Sequence, residues 1–513
     1  GGTAEELKKL ARETPPLTAP PEGPGETEKP GSPDDEGKAT KQSASAASML
    51  VALVDERAVV LYRNAEGTPF ADVTTNGVRR TLHLRSRAFR SWLRGEYFVE
   101  TGRAVNAQAI EDALGVLEAR TIVGSDIHEV HVRVAMLDGQ LYLDLANERW
   151  RAVEIDATGW RIVESPPVRF RRPAGMLPLP EPVRGRGLDD LRPLINVRDD
   201  EAWRLLVAWL TFTLHPAGPF PILSFIGEQG TGKTAAARIL RRLIDPNKAE
   251  LCRPPREEQD MAVGAANRWF VAYDNLSSLK ADLSDALCVL STGGGLTTRK
   301  LYTDDEENIF DHKRPVILTG ITEVATRPDL LDRALLVTLE PIPKDRRIPE
   351  SELLARSEAL RPRALGALLD AVSGALRELP GVPARGLPRM ADFARWGIAL
   401  EKALGWPEGA FLGAYDANRA EAHSSAIEAS PVGPAVLGFA EERGEWSGTA
   451  GDLLDDINRR RGNEKPPEGW PKTARGLGGA MRMISPALRA HGLEVTFDRG
   501  KDTPEGPGDP PSH

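Results

Sequence analysis

Cysteine is nearly absent from this chain. Cys252 and Cys288 are the two present in 513 residues, in unlike contexts and with no Cys/His cluster beside either. That argues against a disulfide framework and a cysteine-bound zinc, and it fits a reducing cytoplasm. No apolar run approaches the roughly 20 residues that a membrane-spanning helix needs, so no membrane partner is expected. The opening stretch GGTAEELKKLARETPP lacks the apolar core of a secretion signal. Positive charge is not in excess either: 66 Lys and Arg face 75 Asp and Glu, a net charge of −9. That argues weakly against a wholly basic surface and does not exclude a local basic patch. His128 and His131 miss the H-E-x-x-H spacing of a zinc protease, and no nucleophile-elbow motif occurs.

What is present divides the chain into segments. Residues 1–48 are rich in Pro, Gly, Ser and charge and read as a disordered tether. Residues 49–172 read as an α+β domain. Apolar alternation begins at Met49, two helical stretches follow, and strands then turn at Asp138-Gly139 and Thr158-Gly159. A collar that holds an oligomer together is one role for this domain. Residues 173–189 form a proline-rich linker. Across 190–345 helix and strand alternate, which predicts a mainly parallel sheet with flanking helices. Residues 346–430 read as helical, 431–500 as a separate unit, and 501–513 as a loose tail.

GEQGTGKT, Gly227 to Thr234, matches the phosphate-loop pattern G-x-x-x-x-G-K-[ST], with a buried strand before it and a helix after it. Backbone N–H groups of Gly227, Glu228, Gln229, Gly230, Thr231 and Gly232 are expected to cradle phosphate oxygens. Lys233 then reaches the β and γ phosphates of ATP, and Thr234 ligates magnesium. Asp274 ends the next apolar strand, WFVAYD, where a carboxylate supports the same metal. Many ATPases place a second carboxylate at the following position; here it is Asn275. An amide has no charge to take a proton from water, but it can orient that water by hydrogen bonding.

LTTRKLYTDDEENIFDHKRPVILTGI and RPDLLDRALLVTLEPI follow in order. Together with the phosphate loop they resemble the AAA+ core of superfamily 3 helicases. The likeness is to the poxvirus-type primase–helicase branch found in phages, plasmids and mobile elements. The resemblance covers about 190–345 and extends more loosely toward the C-terminus. It implies a multidomain α/β protein with a P-loop AAA+ core, working as a ring, usually a hexamer, with ATP at subunit interfaces. It also implies a primase or primase–polymerase in cis or in trans. It maps a sensor to Thr319, where many relatives carry Asn. It maps an arginine finger, acting on the neighbour's ATP, to Arg333, with Arg327 as runner-up. Arg389 or Arg395 is a candidate second sensor. A pore hairpin is implied before the sensor strand. Its turn here, Asp304 to Asn308, is acidic, so Arg299, Lys300, His312, Lys313 and Arg314 on its flanks are the candidate contacts to single-stranded DNA. Tyr302 either stacks on a base or belongs to the core.

Three helices and a strand are expected in 431–500, a winged-helix-like unit. Leu477, Met481, Ile484 and Leu488 recur at helical spacing and mark the buried face of the third helix, with Pro486 as a kink or restart. LEVTFDRGKD reads as the strand. Lys472, Arg475 and Arg482 are the candidate contacts to duplex DNA; the alternative is a solvated basic face on a protein–protein module. The whole chain thus reads as an ATP- and magnesium-dependent DNA helicase or translocase of a mobile element. The competing reading is an ATP-controlled assembly scaffold or a regulatory or defence ATPase that binds nucleic acid without unwinding it.

Overall fold

The computed structural model of the chain describes residues 45–185, 187–276, 279–294, 296–299, 307–310, 312–320 and 328–498, with side chains given except at 296–299, 307–310 and 328. The chain divides into two units, Gly1–Ala46 and Ala47–His513, and the architecture below is that of the second.

Helix α1 (Ala46–Glu56) stands where apolar alternation suggested a strand. The run is apolar on nearly every residue, and Leu50, Leu53 and Val54 recur at i, i+3 and i+4 to bury one stripe. Strands β1 (Val60–Arg63), β2 (Pro69–Thr75) and β3 (Val78–His83) form an antiparallel sheet in that order. Helices α2 (Arg87–Thr101) and α3 (Ala107–Gly124) follow, started by the side-chain caps Ser86 and Asn106.

Strands β4 (Val134–Leu137), β5 (Gln140–Asp144), β6 (Ala152–Asp156) and β7 (Gly159–Val163) make a second antiparallel sheet. Asp138 and Gly139 turn its first hairpin, both with positive φ, as a two-residue hairpin loop demands. Val134, Leu141, Leu143, Val153, Ile155 and Trp160 from this sheet lie in one hydrophobic core with Leu365, Leu368 and Leu369 of the long helix described below. An ion pair ties the start of this sheet to the end of the helix Lys233–Ile244: Arg133 Nε donates to Asp245 Oδ1 at 3.0 Å, and both side chains are essentially inaccessible. The other Asp245 oxygen accepts the backbone N–H groups of Trp269 and Phe270.

The next elements are α4 (Leu188–Leu191), α5 (Asp200–Phe212), β8 (Ile222–Ile226), α6 (Lys233–Ile244), α7 (Glu258–Ala266), β9 (Val271–Leu276) and α8 (Ala281–Thr292). The hairpin strands β10 (Leu296–Arg299) and β11 (Glu307–Phe310) precede β12 (Val316–Gly320), α9 (Pro328–Leu331) and β13 (Ala334–Thr338). The sheet order is β13-β8-β12-β9, and every pairing is parallel. Strands β8, β12 and β13 are buried on both faces and accordingly read as mostly apolar runs, each with a single hydroxyl residue. Helix α5 is apolar nearly all round because it is enclosed on all sides.

Helices α10 (Glu350–Glu378), α11 (Ala391–Leu404) and α12 (Ala410–Ala429) complete the core. The proline-rich run before α4 is packed along α10. Val183 donates its N–H to the Pro362 carbonyl at 2.8 Å. A Cβ on Gly366 would lie 1.9 Å from the Val183 carbonyl oxygen, so only glycine fits.

Helices α13 (Gly433–Arg443), α14 (Ala450–Arg461) and α15 (Ala474–Ala490) form the last unit. Leu477, Met481, Ile484 and Leu488 are buried as the spacing predicts, and α15 runs through Pro486 without a break. The expected strand after it is not formed within the described residues. Residues 493–498 have no hydrogen-bonded partner strand there, and an extended segment without one makes no sheet. Among the described residues the unit is three helices, and the rest of the expected strand and turn, 499–502, lies outside them.

Candidate functional site

The carboxyl ends of the parallel strands carry the polar chemistry. From β8 the chain passes through α6 and skips a position to β9; β12 fills the gap, and β13 lies on the other side of β8. Strand order therefore reverses at β8, and a crevice beyond the carboxyl end of such a strand is where parallel sheets bind ligands. The phosphate-loop sequence occupies that place. Gly227, Gly230 and Gly232 have φ of 142°, 85° and 90°, conformations that L side chains avoid. A Cβ on Gly227 would sit 2.7 Å from the Leu339 carbonyl. Thr231 is buried and donates to the Glu228 carbonyl at 3.1 Å, bracing the loop. Gly232 starts α6 without a side-chain cap, so the first N–H groups of that helix remain open to an anion.

Lys233 is folded onto this loop, its Nζ donating to the carbonyls of Gly227 and Glu228 at 2.6 and 2.7 Å. Burial lowers its pKa, and the nearby Asp274 carboxylate opposes that shift. Thr234 Oγ1 donates to Asp274 Oδ1 at 3.0 Å. Thr319 Oγ1, on the adjacent strand β12, donates to the same oxygen. The Asn275 N–H in turn donates to Thr319 Oγ1 at 3.2 Å. Asn275 has φ of 58° and an exposed side chain. The pairing of β9 with β12 shifts register at this point. A left-handed residue inside a strand favours Asn or Gly over β-branched residues, which is a backbone reason for the amide.

These groups fit ATP with magnesium. The loop offers donors and a glycine-lined approach for phosphates, and one hydroxyl and one carboxylate meet where the metal would be held. Among the described residues no group of three or more His, Cys, Asp or Glu could hold a metal by itself.

Arg333 lies elsewhere. It precedes β13, whose first residue pairs with Ile222 at the amino end of β8. A strand's length, roughly 16 Å at about 3.3 Å per residue, separates it from the phosphate loop of its own chain. Its Nη1 donates to the Asp329 carbonyl at 2.8 Å. Neighbouring Asp332 pairs with Arg389, with Arg419 at 2.6 Å and with His423 at 3.4 Å. Burial alone would raise the Asp332 pKa, but hydrogen bonds from His423 and Arg419 and the Arg419 and Arg389 charges hold it well below the carboxylate range. Arg389 thus stands at the amino end, away from Lys233. Arg395 donates to the Leu379 carbonyl at 3.5 Å. Arg327 lies outside the described residues.

Those candidate nucleic-acid residues whose side chains are described do not converge on one face. Arg299 pairs with Glu307 across the β10–β11 ladder; Lys300, Tyr302 and the turn residues 304–306 lie outside the described residues. His312 and Arg314 border a cleft with Trp269, His131 and Phe70. Arg314 is buried, its Nε donating to the carbonyls of Ala265 and Arg268 at 2.9 Å, so it closes the end of α7 and does not face outward. Lys313 donates to the Ala217 carbonyl at 3.2 Å. Lys472, Arg475 and Arg482 are exposed at the start and along the outer face of α15, and Arg482 stacks over Phe497 at 5.3 Å.

A segment that sequence reasoning passed over, 339–347, lies along the phosphate loop. Its signal was a basic run between prolines, PIPKDRRIP.

Residues 188–422 match the family model of the actinomycete integrative conjugative element replication protein, and residues 432–506 match that of the AICE RepA C-terminal domain. In sequence these two regions are those of a mobile-element replication protein. No curated protein matches the chain. Among solved structures it is similar to the apo A form of the NrS-1 C-terminal region, at 11% identity and a TM-score of 0.39, over 89% of this chain and 92% of that one. A shorter apo form of that region, residues 305–718, aligns at 12% identity and a TM-score of 0.36, over 66% of this chain and 75% of that one.

Proposed function

We propose that this chain is the ATP-driven DNA helicase or translocase of a mobile element's replication machinery, with a P-loop AAA+ core and working as an oligomeric ring. The observation that carries the reading is the hydrogen-bonded series Thr234–Asp274–Thr319–Asn275 beside the glycine loop. Lys233 leaves the loop carbonyls to place its charge on the phosphate chain. Thr234 and Asp274 would hold magnesium, whose charge would stabilise the transferring phosphoryl group. Thr319 keeps Asp274 oriented, and the Asn275 amide orients the attacking water. Arg333 serves the site of a neighbouring subunit, since its place at the far end of β13 puts it out of reach of its own. Support for the replication setting comes from the two matched family regions. Basic side chains on α15 steady duplex DNA in this reading.

The test is unwinding of forked DNA with ATP and magnesium, with Lys233→Ala as control. Wild-type protein is expected to separate strands and to hydrolyse ATP faster with DNA present. A second reading, an ATP-controlled assembly scaffold, is favoured by the missing second carboxylate at Asn275. ATP-dependent assembly with little turnover and no strand separation supports that reading against the first.

A further inference from the structure

We propose that Arg347 is a nucleotide contact supplied by the same chain, its guanidinium closing over the phosphate loop to pair with the phosphates held there. The inference rests on the nucleotide reading of that loop. After β13 the chain turns back and follows the loop. Leu339 donates to the Ile226 carbonyl at 2.9 Å, at the end of β8, and its own carbonyl fills the space beside Gly227. The Asn196 amide ties the two segments, donating to the carbonyls of Glu340 and Thr231. Ile342 Cδ1 stands 3.6 Å from where a Cβ on Gly232 would be, and Arg347 Nη2 stands 4.0 Å from the same position on Gly230. Beyond the strap, Arg238 of α6 pairs with Glu350, anchoring its far end to the helix that Lys233 begins.

The side chain of Arg347 is curled rather than splayed. Its Nε donates to the Ile342 carbonyl at 3.1 Å, within the strap itself. Among the described residues no carboxylate pairs with it, in contrast to Arg238 and Arg356. A guanidinium has five N–H donors, so the fork remains available at the mouth of a loop built to receive an anion. Guanidinium pairs with phosphate in a two-pronged geometry that the Lys233 ammonium cannot offer. A contact made to bound nucleotide and kept through the reaction strengthens binding without lowering the barrier from the bound state. Arg347 therefore acts on affinity, whereas Arg333, reaching in from a neighbour, acts on rate.

The experiment is equilibrium binding of a fluorescent ATP analogue with magnesium to wild type, Arg347→Ala, Arg347→Lys and Arg346→Ala, paired with steady-state turnover. Arg347 is exposed, so thermal melts should coincide and exclude misfolding. Arg347→Ala should weaken binding about 10- to 100-fold, the range of a charge-assisted hydrogen bond, and raise KM with kcat unchanged. Arg347→Lys should recover part of the loss. Arg346→Ala should bind within about twofold of wild type, a difference too small for a lost contact. Wild-type binding that is matched by Arg347→Ala, or a loss of kcat at unchanged KM, overturns the proposal alone. Failure of wild type to bind the analogue overturns the nucleotide reading beneath it.

Discussion

The two ends of the parallel sheet are made by the same strands and dressed with opposite kinds of polar group. At the carboxyl end stand short side chains, Thr234, Asp274, Thr319 and Asn275, linked by single hydrogen bonds beside a glycine loop. At the amino end stand long cations, Arg314, Arg389 and Arg419, with their donors given to backbone carbonyls or to Asp332. A short side chain on a strand end is placed by the backbone, so its geometry survives without extra bracing. A long one is placed by what it grips. The carboxyl end thus keeps unspent donors for an anion, while most charges of the amino end hold helices α11 and α12 against the start of β13. The first end is suited to chemistry and the second to support.

Lys233→Ala tests that division with the largest effect. It should lower ATP turnover about 10²- to 10³-fold, the loss seen when one preorganised charge or donor is removed. Stability in urea should change by no more than about 0.5 kcal/mol, as for substitutions outside the core. A comparable loss of stability would erase the distinction between the two ends.

Asp332→Ala should do the reverse. It strands Arg419 and Arg389, so unfolding becomes easier by about 2 kcal/mol, less than for a fully buried pair because Arg389 is half exposed. Binding of nucleotide should stay within about twofold, since the site at the other end is untouched. The acid response has a defined window. The Asp332 pKa is depressed in the folded chain, so its stabilisation is complete above the unfolded value of about 3.9 and is lost as pH falls below it. Asp332→Asn should remove that part of the acid sensitivity in melts between about pH 5 and 2.

His215, at the same amino end, gives a milder effect at higher pH. Burial lowers its pKa from 6.5, and it packs against Phe212 and Trp396 at 5.9 and 5.7 Å. The unfolded chain therefore takes up the proton first, and stability falls as pH drops below about 6.5. His215→Phe should flatten that slope between pH 7 and 5, leaving the part due to His83 and His131, whose pKa values burial also lowers.

The same contrast explains what was legible in the sequence. The phosphate loop, Asp274 and the apolar strands are contiguous patterns, and their meaning depends on neighbours a few residues away. The sheet-parallel core followed from alternation of helix and strand. The cluster at Asp332 joins residues 57 to 91 positions apart, and the Arg133–Asp245 pair spans 112; no local pattern announces either. Helix α1 was misread because a run apolar at almost every residue satisfies both periods, and burial of Leu50, Leu53 and Val54 decided for the helix. Arg314 looked like a flank of a basic hairpin, but its charge is drawn inward by the carbonyls at the end of α7.

Asn275→Asp carries the smallest expected effect, and Asn275 gives the sharpest reading of the carboxyl end. Its backbone, in the left-handed region at φ 58°, sets the direction of the N–H that holds Thr319. The side chain is free for water. Conformation and chemistry can therefore be separated by substitution. Asn275→Val should destabilise the chain by about 1–2 kcal/mol, because a β-branched residue resists that conformation. Asn275→Gly keeps the conformation and removes the amide, so it should fold normally and lose turnover. Asn275→Asp keeps both shape and reach, and its turnover should stay within about threefold of wild type or rise, a change under 1 kcal/mol. A collapse of turnover in Asn275→Asp, with folding intact, would show that the amide's donor, and not its oxygen, is what the reaction uses.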